Sequence, residues 1–150
     1  MEWIGGGRMD EVFALRLDYG EDLCEGIETF LRENEVRNGI VLSGIATLSK
    51  ARMHVVTTTG FPSKNMFLEF EGPIEICGVH GIVADYEPHL HMTFSIYGEE
   101  KTYVGHMEPG CTVLYLAELA IAKLSGMELA RRVHPEKGTR LLTNAADTAG

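Results

Sequence analysis

Apolar and polar residues alternate with a period of two along most of the chain. Because successive side chains of a β-strand point to opposite faces of the sheet, this period predicts strands. The strands predicted in this way are Val12–Leu17, Gly39–Leu48, Ala51–Thr58, Met66–Phe70, Ile74–Val83, one strand through His89 and His91, one through His106, and Thr139–Leu142. The charged segment from Met127 to Gly138 is predicted to be irregular.

One segment has the spacing of an amphipathic helix. Its apolar residues recur at intervals of three and four: Leu23, Ile27, Phe30 and Leu31. Asp22, with Glu25 three residues later, has the spacing of a capping box, so the helix is predicted to begin there and to run through Asn34. The segment Cys111–Lys123 is ambiguous, because its β-branched start favours a strand and its Ala-Glu-Leu-Ala section favours a helix. The strand is preferred.

One early helix followed by many strands predicts the α+β fold class: a twisted, mainly antiparallel β-sheet with one main helix packed on one face. A length of 150 residues suits a single domain with its own core. The Gly-rich residues 1–11 are predicted to be a flexible N-terminal arm, residues 12–142 the domain, and residues 143–150 a flexible tail.

Charge and cysteine content narrow the class of protein. The formal net charge of −9 argues against direct binding of nucleic acid or of anionic membrane surfaces, since both need a basic face. The most apolar stretch, Val113–Leu124, contains Glu118 and Lys123 and is too short to span a bilayer. The three cysteines are far apart and form no Cys-x-x-Cys motif, which is typical of idle thiols in a reducing compartment. With no signal peptide recognisable, a cytoplasmic location is expected.

Three of the six histidines lie close together in the sequence. His89 and His91 are two residues apart in a predicted strand, so their side chains share one face. A two-residue turn at Gly98-Glu99 would place His91 directly opposite His106. A four-residue loop would place Thr93 there instead and still leave the three imidazoles on one face. A three-residue loop would send His106 to the other face.

Three neutral imidazoles on one face, with a fourth position open, are the ligand set of a catalytic-type zinc site. His89, His91 and His106 are therefore predicted to bind one divalent transition metal, with Zn²⁺ as the first choice. Gly105 leaves room for a close approach to the sheet. Three acidic residues are candidates to orient the imidazoles as outer partners: Asp85, Glu87 and Glu108.

The other histidines carry less weight. His54 is predicted to be a surface histidine, and replacing it or His134 with alanine is expected to leave metal binding intact. His80 is ambiguous, because its strand could bring it near the metal face.

Four short motifs resemble the PPC domain family (DUF296) of plants and prokaryotes, over about residues 13–142. They are Arg16-Leu17 followed by Gly20-Glu21-Asp22-Leu23, the strand Ser43-Gly44-Ile45-Ala46, the segment Gly72-Pro73-Ile74-Glu75-Ile76-Cys77, and His89-Leu90-His91 with Gly105-His106. The resemblance implies a homotrimer of an α+β fold similar to that of α-acetolactate decarboxylase, a three-histidine zinc enzyme. It also implies a metal on the matching histidines in some prokaryotic members, and contacts with protein partners.

The chain departs from the family pattern in ways that affect function. Pro73 stands in place of an arginine, Val104 in place of a glycine, and His80 where a small residue is usual. The Arg-Gly-Arg-Pro hook through which the plant members bind DNA is missing. A DNA-binding role would therefore rest on family association alone.

Two functions follow. The first is a metal-binding homotrimeric domain with hydrolase- or lyase-type chemistry on an unknown small substrate. Glu108 is the first candidate for a catalytic acid or base, and Glu118 and Tyr115 are weaker ones. The second is a non-catalytic assembly or regulatory module. The residues leave open whether the metal is catalytic.

Overall fold

A computed structural model describes residues 1–146, and the last four residues of the predicted tail lie outside the described part. The described residues form eight strands and one helix: β1 (Arg8–Asp18), α1 (Leu23–Glu33), β2 (Gly39–Val56), β3 (Asn65–Ala84), β4 (Glu87–Ile96), β5 (Thr102–Met107), β6 (Thr112–Ser125), β7 (Leu129–Val133) and β8 (Arg140–Asn144). This is a mostly antiparallel sheet with a single short helix, as predicted. Within residues 1–146, no helix has the length and apolar composition to cross a membrane.

Six strands form one sheet in the order β1-β6-β2-β3-β4-β5, and β7 and β8 form a second, two-stranded sheet. The sheet also curls back on itself, because the end of β2 pairs with β5 at Met53–Met107 and His54–His106. The curl therefore gives the sheet an inner face and an outer face. The inner face carries buried side chains such as Met53, Met92 and Met107.

The helix α1 covers part of the inner face. Leu23, Ile27 and Leu31, spaced by one turn each, are fully buried. The side chain of Asp22 accepts hydrogen bonds from the backbone N–H groups of Cys24 at 2.9 Å and Glu25 at 3.1 Å, so the predicted N-cap is confirmed.

Two pairs of predicted strands are in fact single long strands. The prediction of separate strands Gly39–Leu48 and Ala51–Thr58 is wrong, because β2 runs through Ser49 and Lys50 with a shift of register between Leu48 and Lys50. A bulge of this kind bends a strand without ending it. In the same way the strands predicted as Met66–Phe70 and Ile74–Val83 are one strand, because β3 continues through Gly72 and Pro73. The ambiguous Cys111–Lys123 segment is the strand β6.

The ends of the domain differ from the predicted boundaries. Residues 8–11 of the predicted arm lie in β1, where Arg8 pairs with Ser125. Residues 143 and 144 of the predicted tail lie in β8. The segment predicted as irregular contains β7, which packs as a hairpin with β8 beside the outer face of β3 and β4.

Candidate metal centre

The turn between β3 and β4 sets the position of His89 and His91. Asp85 and Tyr86 have φ angles of 54° and 63°, the two positive values that a two-residue type I′ turn needs. The side chain of Asp85 is held by Arg37 at 2.9 Å. This turn places His80 directly opposite His91, on the outer face.

The register of β4 and β5 is the one predicted from a two-residue turn, with His91 opposite His106. Since Met92 and Met107 point into the core, their neighbours His91 and His106 point outward. The pairing between β4 and β5 ends at Ser95 opposite Thr102. The prediction that the three imidazoles share one face is therefore confirmed.

The three imidazoles of His89, His91 and His106 form a compact triangle. Their ring centroids are separated by 5.5 Å between His89 and His91, 4.5 Å between His89 and His106, and 5.4 Å between His91 and His106. One nitrogen of each ring lies within 4.8 Å of the others, close enough for a single metal ion to be shared.

Burial keeps these imidazoles uncharged. Desolvation, followed by repulsion from His89, lowers the pKa of His106 to about 4. Desolvation also lowers the pKa of His89, with Arg131 adding to the effect, and that of His91. The Nδ1 atom of His106 is buried and has no hydrogen-bond partner among residues 1–146. Neutral imidazole is the form that binds metals, so the cluster is in the binding form at neutral pH.

His54 belongs to the same cluster, and its prediction as a surface histidine is wrong. Its side chain is only 19% exposed, and its Nδ1 lies 2.5 Å from Oε1 of Glu108. Its ring centroid is 4.6 Å from that of His106. Alternation along β2 indicated the outward direction of His54, but no local signal revealed that β2 pairs with β5.

Gly105 makes this pairing possible. A Cβ atom at Gly105 would lie 2.8 Å from Sδ of Met53 and 2.9 Å from the carbonyl oxygen of His54. Any other residue would therefore push β5 away from β2. Because Gly105 has no side chain, β5 approaches β2 closely, and His106 therefore lies against His54.

A second group of possible ligands overlaps the first. His54, His106 and Glu108 also have ligand atoms within 4.8 Å of one another, and the two groups share His106. Because the Nδ1 of His54 already contacts Glu108, this second group has the form of a histidine oriented by a carboxylate.

Of the three acidic residues predicted to orient imidazoles, only Glu108 contacts one. Asp85 is paired with Arg37, and the carboxylate of Glu87 binds Arg140 through two hydrogen bonds. His80 is exposed and is not part of either group.

His134 lies outside the cluster as well. Its Nδ1 accepts hydrogen bonds from the backbone N–H groups of Glu136 and Lys137.

A cavity of about 570 Å³ opens beside the histidine triangle. The β7–β8 hairpin supplies Arg131 and Arg140, and the end of β2 supplies Val55 and Val56. Neither Glu118 nor Tyr115, the weaker catalytic candidates, lines it. Sequence patterns gave no indication of the arginines, because the β7–β8 hairpin reaches the site only through tertiary packing.

Comparison with known families agrees with the resemblance. Residues 5–125 match the Plants and Prokaryotes Conserved (PCC) domain, the PPC family. This match covers most of the chain, including the histidine triangle. The chain belongs to this family.

Solved structures share the fold. The crystal structure of the metal-containing protein AF0104 from Archaeoglobus fulgidus has a TM-score of 0.81 and 26% identity, covering 96% of this chain and 100% of that one. A Bacteroides thetaiotaomicron protein, whose name suggests DNA binding, has a TM-score of 0.76 at 13% identity, covering 93% and 99% of the two chains. At that identity the likeness concerns the fold alone.

Among curated proteins, a bifunctional GlmU protein from Synechococcus sp. (strain JA-2-3B'a(2-13)) is 29% identical over 128 residues. The match covers 85% of this chain but only 19% of the length of that protein. The chain is therefore similar to one part of a much longer protein.

Proposed function

We propose that this protein is a metal-binding domain that holds one divalent transition metal on His89, His91 and His106. The observation that carries the proposal is the buried Nδ1 of His106, which has no hydrogen-bond partner among the described residues and lies within a triangle of imidazoles. Burying a polar atom without a partner costs free energy, and a metal ion bound by the cluster offsets such a cost.

The residues fit a transition metal better than Ca²⁺ or Mg²⁺. Those two ions prefer oxygen ligands, whereas imidazole suits zinc and its neighbours in the first transition row. Zn²⁺ remains the first choice, since three histidines leave a position open for water or substrate. The metal-containing relative from Archaeoglobus fulgidus supports the assignment.

The surroundings also support chemistry at the metal. A bound divalent metal would polarise a carbonyl group or lower the pKa of a bound water, as hydrolases and lyases require. The predicted likeness to α-acetolactate decarboxylase points in the same direction. Within this chain, Glu108 holds the Nδ1 of His54, which favours a positioning role for Glu108 over the predicted acid–base role.

Elemental analysis of the purified protein tests the proposal directly. We expect about one zinc or related ion per chain after loading and removal of excess metal. His106→Ala should abolish binding, because it removes one of the three proposed ligands. His134→Ala is the matched control, since His134 lies on the loop between β7 and β8 and should retain the metal. Equal metal content in both variants would contradict the proposal.

We also propose that the chain assembles as a homotrimer. Its support is the exposure of large apolar side chains on β1, β2 and β6, among them Val12, Ile45 and Tyr115 at 61%, 50% and 72%. The single helix covers only the inner face, so self-association would bury this surface. Light scattering should give three times the chain mass. A monomer at micromolar concentration would exclude it.

The alternative function is a non-catalytic assembly or regulatory module that binds protein partners or, through them, DNA. The Bacteroides thetaiotaomicron protein, which shares the fold, has a name that suggests DNA binding, and this is the reason to test the alternative. The net charge of −9 opposes direct binding, because neutralising phosphates requires lysine and arginine on one face. We expect negligible affinity for duplex DNA at physiological salt. Tight binding with a steep salt dependence would favour the alternative.

A further inference from the structure

Arg131 on β7 borders the cavity beside His89, close enough for its charge to lower the pKa of that histidine. Its Nε is buried and has no hydrogen-bond partner among residues 1–146. A buried guanidinium N–H without an acceptor is costly, and the side chain that carries it lines an open cavity. The arrangement leaves a donor for a molecule that enters the cavity.

Arg140 borders the same cavity but is already paired. Its Nη1 and Nη2 both donate to the carboxylate of Glu87, the second of these at 2.7 Å. This bidentate pair occupies the one acidic residue among those that line the cavity. Glu87 is therefore engaged, whereas the Nε of Arg131 has no acceptor within the described part of the chain.

The charge of the cavity is opposite to that of the protein. Two arginines face a single glutamate along its wall, while the whole chain carries a formal charge of −9. A divalent metal on the histidines would increase the positive potential. A small anion is attracted to such a site, and a cation is repelled.

The donors favour a carboxylate over a phosphate. The Nε and an adjacent Nη of a guanidinium form a fork that matches the two oxygens of a carboxylate. Phosphate sites commonly add several backbone N–H groups at a helix N-terminus, and α1 does not reach this cavity. Val55, Val56 and Val104 provide an apolar wall for the remainder of a small organic molecule.

We propose that the cavity binds a small organic carboxylate, with its carboxylate on Arg131 and the rest of the molecule against the valines and facing the histidines. The volume of about 570 Å³ suits such a ligand. The proposal extends the proposed metal-site function and rests on it for the part of the ligand that faces the histidines. The contact between the carboxylate and Arg131 does not depend on the metal.

The test is calorimetric titration of the full chain, zinc-loaded and zinc-free, with three probes of similar shape: phenylacetate, phenylacetamide and phenylphosphonate. We expect phenylacetate to bind with a Kd of about 1 mM or lower and phenylacetamide to bind at least about 10-fold more weakly. Arg131→Gln should weaken phenylacetate at least about 10-fold, and Arg131→Lys nearly as much, because lysine keeps the charge but lacks the fork.

The matched control is Arg16→Gln, which removes the same charge from an exposed arginine on β1. It should bind phenylacetate as the unaltered protein does. Circular dichroism and thermal unfolding establish whether each variant is folded. If Arg131→Gln does not fold, Arg131→Lys takes its place in the comparison.

The outcomes separate this inference from the metal site. Arg131-dependent binding of phenylacetate without any zinc uptake would uphold the carboxylate site and overturn the metal proposal. Zinc uptake with phenylacetate binding equal in Arg131→Gln would overturn the carboxylate site alone. Tighter Arg131-dependent binding of phenylphosphonate would also overturn it in favour of a phosphate ligand. Absence of binding by all three probes up to about 10 mM would overturn it as well.

Discussion

Two hairpins face each other across the cavity and differ in chemistry. The β4–β5 hairpin presents His89, His91 and His106, which burial keeps neutral. The β7–β8 hairpin presents arginines, which are charged. The first is suited to hold a metal cation, and the second is suited to hold an anion. The comparison teaches that the proposed metal binding and the proposed ligand binding are separable, since different elements of the fold would provide them.

The largest expected effect is on bound metal, and it should differ between variants of the two hairpins. His91→Ala should reduce bound metal from about one ion per chain to almost none, because two imidazoles hold a divalent ion far less tightly than three. His91 is the exposed member of the triangle, so the fold should persist. Arg131→Gln should retain the metal. Elemental analysis measures the metal content of both variants. Loss of metal in both would mean that metal binding depends on the two hairpins together.

Removing the partner of His54 should have a smaller effect. Glu108→Gln deletes the carboxylate that holds the Nδ1 of His54 against His106. We expect metal affinity to fall by no more than about 10-fold, because His54 packs against the ligand His106 but is not itself one of the three proposed ligands. Competition with a chromogenic chelator measures it. Glu75→Gln on β3 removes the same charge from an exposed position and should leave the affinity unchanged.

Widening the gap between β2 and β5 should destabilise the fold. Gly105→Ala introduces a methyl group against Met53 and the backbone of His54. We expect the free energy of unfolding to fall by about 1–3 kcal/mol, the usual cost of overpacking. Gly78→Ala is the control, because a Cβ there meets no atom within 4 Å. Urea denaturation measures both, and equal stabilities would show that β5 can move away freely.

The β4–β5 hairpin, called the histidine hairpin below, should also make the free energy of unfolding depend on pH. The pKa of His106 is lowered to about 4, below the ordinary histidine value near 6.5, by burial and by His89, His54 and His91, against the opposing effect of Glu108. Between these values the unfolded chain binds more protons than the folded chain. The free energy of unfolding of the metal-free protein should therefore fall as pH falls from about 6.5 to about 4.

Substitutions can assign this pH dependence of the free energy of unfolding to the imidazole of His106. His106→Gln should reduce the slope over that interval, whereas Arg131→Gln should preserve it in sign. Urea denaturation at several pH values in the presence of chelator gives the measurement. A stability that rises towards pH 4 would contradict the assignment.

The smallest expected effect concerns the paired arginine. Glu87→Gln removes the negative charge and one of the two oxygens that accept from Arg140, and the side chains of Glu87 and Arg140 are substantially exposed, at 42% and 52%. The change in the free energy of unfolding should stay below about 1 kcal/mol. Phenylacetate should bind more tightly, because Arg140 then adds to the positive charge of the cavity. Weaker binding would show that Glu87 positions Arg140 for the ligand.

The two hairpins also differ in how far they could be predicted from sequence. The histidine hairpin follows from local rules, namely the side-chain period of two and the register set by a short turn, and these place His91 opposite His106. His54 and Arg131 follow from no local rule. Each reaches the site through packing between segments that are distant in the chain, and a single sequence carries no direct signal of such pairing. The long strands β2 and β3 were predicted in pieces because a bulge and a turn share the same residue types.

The curl of the sheet has a consequence for the order in which the site assembles during folding. Bringing His91 to His106 closes a loop of about 15 residues, whereas bringing His54 to His106 closes one of about 50, and the shorter loop has the lower entropic cost. The imidazole triangle can thus form within a single hairpin while β2 is still unpaired. A metal ion captured at that stage would fix the outward direction of His106 before the sheet closes, and β2 would then add to an edge whose register is already set.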